Sequence, residues 1–123
     1  MTLFVFSSCE KNKNDILPSE AILGKWEKIE IGNWPDMDII SEPSGYREYL
    51  PDSILVEYNY ESGKSFSMKY SIDTLLYEYV SIPNGSPLIL KYKYQFLDNT
   101  NKLRTDVFED PSMFSTLIFK RIN

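Results

Sequence analysis

The sequence predicts an all-β domain: an eight-stranded up-and-down antiparallel barrel, preceded by a short helical turn. Three observations point there. Apolar and polar residues alternate with period two through most of the chain beyond Gly24. Clusters of Pro, Gly, Asn, Asp and Ser break that alternation at short intervals, as hairpin turns do. Aromatic residues make up 15% of the chain, with nine Tyr and seven Phe, and such side chains suit a pleated, half-buried surface.

The elements follow in order. Residues 20–23 read as a helical turn, with Pro18-Ser19-Glu20 supplying its start and Gly24 its end. The first strand covers 25–31, and the second, 46–50, stops at Pro51-Asp52-Ser53. The third covers 54–60, with Ile54, Val56, Tyr58 and Tyr60 sharing a face, and Glu61-Ser62-Gly63-Lys64 turns the chain. The fourth, 65–72, alternates cleanly, with Phe66, Met68, Tyr70 and Ile72 on its apolar side. A fifth strand at 75–80 precedes the turn at Pro83-Asn84-Gly85. The sixth, 87–97, turns Leu88, Leu90, Tyr92, Tyr94 and Phe96 inward. The seventh covers 102–108 and the eighth 115–122. An open meander of this length exposes two edges and closure removes them; a two-sheet sandwich is the alternative.

Composition removes several function classes. The formal net charge is −5, which a phosphate backbone repels, so no nucleic-acid partner is expected. A single Cys excludes an internal disulfide, and the absence of His excludes Ser-His and Cys-His nucleophile pairs and His-ligated zinc. No cofactor or metal is expected: Asp36, Asp38 and Glu42 begin like a calcium loop, but Ser41 and Arg47 stand where that loop needs Gly and Glu. Glu57 and Glu78 read as solvated outer-face carboxylates, so the chain is not read as an enzyme.

The N-terminus carries the sharpest local signal. An apolar run, Thr2-Leu3-Phe4-Val5-Phe6, leads to Ser7-Ser8-Cys9, and a polar stretch from Glu10 follows at once. Small residues before a Cys resemble the lipobox of bacterial lipoproteins, with Phe6 where an aliphatic residue is usual. The implied organisation is a signal remnant and lipobox over 1–9, a tether over 10–20 and a barrel over 21–123. Cys9 is then the lipidation site, its acyl chains hold the protein to the outer membrane of the cell envelope, and a monomer is expected.

Ile22-Leu23-Gly24-Lys25-Trp26 resembles the Gly-x-Trp opening of lipocalins and related calycin barrels, and the whole chain resembles short lipocalin-like lipoproteins of Bacteroidetes. The resemblance implies that Gly24 and Trp26 lie at the closed end, with a basic residue of the last strand, Arg121, on the indole face. It departs from larger lipocalins in lacking a C-terminal helix and a disulfide.

Up-and-down topology gathers the loops 32–45, 61–64, 81–86 and 109–114 at the opposite, open mouth. The expected ligand is a small hydrophobic or amphipathic molecule or a glycan. Trp34 on the longest loop is its candidate anchor, with Met37 and Phe114 beside it and Tyr58, Tyr70 and Tyr92 as polar handles within. That loop reads either as a lid or as part of the core, and the interior either as a pocket or as filled, which suits a structural or interaction lipoprotein.

Overall fold

Alternation decides which side chains point into a sheet, and closure decides where inside is. The computed structural model describes residues 16–108 and 115–122. A helical turn, α1 (Pro18–Ala21), starts with Pro at its first position, where the missing N–H costs nothing. Among the described residues nine strands follow: β1 (Gly24–Asn33), β2 (Asp36–Ile39), β3 (Gly45–Leu50), β4 (Ile54–Asn59), β5 (Ser65–Ile72), β6 (Leu76–Val80), β7 (Leu88–Leu97), β8 (Lys102–Val107) and β9 (Thr116–Ile122). From β3 to β9 each strand pairs antiparallel with the next, and β9 returns to β1, closing an eight-stranded antiparallel barrel. The ninth strand, β2, is an addition to it.

That addition corrects the expected loop at 32–45. The first strand runs on to Asn33, turns at Trp34-Pro35 and returns as β2, which pairs with the far half of β1, Glu30–Asn33. Only Gly24–Trp26 of β1 pairs with β3. The wall therefore opens between β1 and β3 above Trp26, and residues 40–44 cross that opening. Gly45 begins β3 so close to β4 that a Cβ there would lie 1.9 Å from the Tyr58 carbonyl oxygen, so only glycine fits.

The closed half is packed solid. Ile22, Trp26, Tyr49, Leu55, Leu76, Leu103 and Phe119 are buried and touch as one cluster. Tyr70 stacks edge-on against Tyr49 at 4.8 Å. The interior aromatics also pin the turns at this end. The Tyr70 hydroxyl donates to the Leu50 carbonyl at 2.9 Å, that of Tyr94 donates to the Asp73 carbonyl, and the Trp26 indole N–H donates to the Ile22 carbonyl at 2.8 Å.

β4 faces the other way from its expected orientation. Leu55 lies opposite Tyr49 and Met68, and Glu57 opposite Arg47 and Phe66, all on the inner surface. Tyr58 therefore points outward, where its ring stacks on Tyr46 at 5.1 Å. Lys25 lies 4.9 Å over Tyr46, and Tyr60 donates to Glu27. Both faces of this strand carry residues that pack well, so apolar content alone did not separate them; pairing with two strands of settled orientation did.

Candidate functional site

The opening beside β3 leads into a cavity of about 450 Å³ in the mouth half of the barrel. Trp26 and Phe119 reach it from the packed core, Ile31 and Ile40 border it from β1 and the crossing segment, and Phe66, 61% exposed, stands at its rim. Arg47, Glu57, Lys28 and Lys64 supply its charges.

At its base lies an ion network that bridges three strands. Arg47 of β3 donates through Nη1 to Glu78 of β6 at 2.7 Å and to the Tyr49 hydroxyl at 3.0 Å, and through Nη2 to Glu57 of β4. The Tyr49 hydroxyl in turn donates to Glu78 at 3.1 Å. The guanidinium lies 5.1 Å over the Phe119 ring. Burial works against the charge on Arg47, yet Tyr49, Glu78 and Glu57 raise its pKa well above the ordinary arginine value. Burial likewise pushes the Tyr49 hydroxyl far up, and burial with Glu78 nearby takes Tyr92 to about 12. Glu78 is only 2% exposed, so the expectation of solvated carboxylates is corrected: Glu57 and Glu78 are interior counter-ions.

A signal for this network was present in the sequence. Leu76, Glu78 and Val80 share one strand parity, as do Arg47 and Tyr49, and opposite charges at inward parity need each other. The greater apolar content of the Tyr58 face concealed the inward parity of Glu57.

The other expected site residues are dispersed. Trp26 is fully buried at the closed end, with the Arg121 guanidinium 4.3 Å over its ring. Gly24 takes φ +118, and Arg121 passes 2.8 Å from where its Cβ would be. Arg121 donates to the Leu23 and Ala21 carbonyls, both at 2.6 Å, and to that of Thr100 at 3.1 Å, and burial lowers its pKa. Trp34 tips the β1–β2 hairpin, 52% exposed, with the Arg104 guanidinium 4.1 Å from its ring. Asp106 holds Arg104 at 2.8 Å and accepts from Thr116 at 2.6 Å, so this cluster sits on the outer wall. Neither Trp34 nor Met37 lines the cavity; Tyr58 borders its margin, and Tyr70 and Tyr92 lie in or against the core. Phe114 and Cys9 lie outside the described residues.

No family model matches this chain, and no curated protein matches it closely enough to count as a relative.

Proposed function

We propose that this chain is a lipid-anchored binding protein of the cell envelope, holding a small amphipathic molecule in the mouth half of a lipocalin-like barrel. The open cavity of about 450 Å³ carries the reading. Sites for small ligands run to roughly 300–1,000 Å³, with apolar walls and a few convergent polar groups. Here Ile31, Ile40 and Phe66 border the cavity, the buried Trp26 and Phe119 back its floor from the core, and Arg47 and Glu57 are the polar groups at the base. The indole–guanidinium stack of Trp26 and Arg121 supports the likeness to a lipocalin-like barrel. Binding fits better than turnover, because Arg47 engages both interior carboxylates of the network and leaves neither as a free acid or base. Asp36 and Asp38 put charge on β2, which discourages edge pairing with a second copy and favours a monomer.

Filling the cavity tests the reading. Ile40→Trp at the crossing segment is expected to weaken saturable binding of naphthalene-based fluorescent amphiphiles about tenfold or more, with the thermal midpoint kept. Absence of saturable binding by the unsubstituted protein overturns it. The anchor rests on Ser7-Ser8-Cys9 and the polar stretch after it. Cys9→Ala is expected to move the protein from the membrane to the soluble fraction; unchanged fractionation contradicts lipidation.

A further inference from the structure

The charge of the cavity runs against the charge of the chain. The protein carries a formal −5, yet three cations, Lys28, Arg47 and Lys64, line the cavity against one carboxylate, Glu57. With Glu78 counted behind Arg47, cations still outnumber carboxylates three to two. Lys28 and Lys64 have no ion-pair partner among the described residues. Lys28 stands on β1 in register with Phe119 of β9 and is exposed at the cavity, while Arg47 covers the Phe119 ring from β3 at 5.1 Å. A guanidinium has five N–H donors. Those of Arg47 that reach Tyr49, Glu78 and Glu57 account for three, and the other two have no acceptor among the described residues. Cations of one sign beside low-dielectric walls concentrate potential in a cleft and draw in ligands of the opposite charge.

We infer that the molecule bound in this cavity is an anionic amphiphile whose oxyanion head, a carboxylate or sulfonate, is received by Arg47 and Lys28 beside Phe119. The inference rests on the proposed binding role of the cavity and narrows its ligand class. The head accepts from the unused N–H groups of Arg47 and from the Lys28 ammonium, charge-assisted bonds that are stronger than neutral ones. The apolar body runs toward the rim along Ile31, Ile40 and Phe66. Lys64, on the turn between β4 and β5, lies at the entrance and steers the anion in. A cationic head would meet Lys28 and Lys64 with like charge, and a neutral sugar would leave both without a partner.

Two fluorescent probes with the same ring system separate the possibilities: anilinonaphthalene sulfonate, and phenylnaphthylamine, which lacks the sulfonate. Both are titrated into the whole protein. The sulfonate is expected to bind about tenfold or more tightly than the neutral probe, and Lys28→Gln combined with Lys64→Gln to narrow that gap to about threefold or less. Equal affinity for the two probes, or a gap that the lysine substitutions leave untouched, overturns the anionic assignment while the amphiphile-binding reading stands. No saturable binding of either probe overturns both.

Discussion

At the scale of the residue, Arg47 decides the character of the interior. It is a largely buried cation at the base of the cavity, held by two carboxylates and a tyrosine hydroxyl. Removing one member of such a network leaves a buried charge unpaired, which typically costs about 3–5 kcal/mol, whereas replacing all members by apolar residues of similar size is often neutral or better. Arg47→Met is therefore expected to destabilise the fold by about 3–5 kcal/mol in urea unfolding, chiefly through Glu78, which has almost no contact with water. Adding Glu57→Leu and Glu78→Leu should recover most of that loss. If the triple variant were as unstable as the single one, packing of the Arg47 stem rather than its charge would be the cause. The pairing was illegible residue by residue: Glu57 looks like any outward strand carboxylate until its neighbours across the sheet are known.

At the scale of the element, the closed end depends on side chains that reach across it to backbone carbonyls. Arg121 alone ties α1, the start of β1 and the β7–β8 turn through Ala21, Leu23 and Thr100. Arg121→Ala removes those bonds and the cover over Trp26, and should cost about 2–3 kcal/mol. Hydrogen exchange locates the effect: protection should fall in α1 and the 98–101 turn while β4–β6 keep theirs. A uniform loss across all strands would show instead that α1 and the barrel open as a single unit. Elements with strict alternation, β5 and β7, were legible to their facing: Met68, Tyr70 and Ile72, and Tyr92, Tyr94 and Phe96, pack in or against the core as expected, while Phe66 and Leu88 share their parity but stay exposed. The hairpin of β1 and β2 was not. Its return strand, Asp-Met-Asp-Ile, is short and half acidic, and pairing with Glu30–Asn33 rather than apolar content makes it a strand.

At the scale of the whole molecule, the barrel encloses tyrosines that ionise in water near pH 10. Burial raises Tyr49 and Tyr70 above that value, and burial with the Glu78 charge takes Tyr92 to about 12. A hydroxyl whose pKa is raised in the folded state favours folding fully below its unfolded pKa, and that stability is lost as pH climbs toward the folded value. Thermal stability is therefore expected to hold up to about pH 10 and then fall between about pH 10 and pH 12. The tyrosinate absorbance of Tyr49, Tyr70 and Tyr92 should appear only together with unfolding. Simple titration of all tyrosines around pH 10 with the fold intact would refute interior burial.

The sequence by itself determined the all-β class, the order of the barrel strands and their turns, and its resemblance to the Gly-x-Trp opening of lipocalins marked the closed end at Gly24, Trp26 and Arg121. The class, order and turns follow from local alternation and turn residues. Tertiary structure alone decided where the barrel is hollow. The cavity exists because β1 pairs with β3 only through Trp26 and then leaves it for β2, a competition between two strands for one edge that no local pattern encodes. It also decided that Glu57 rather than Tyr58 faces inward, because parity along a strand has two solutions and only cross-strand register with Arg47 and Phe66 selects between them.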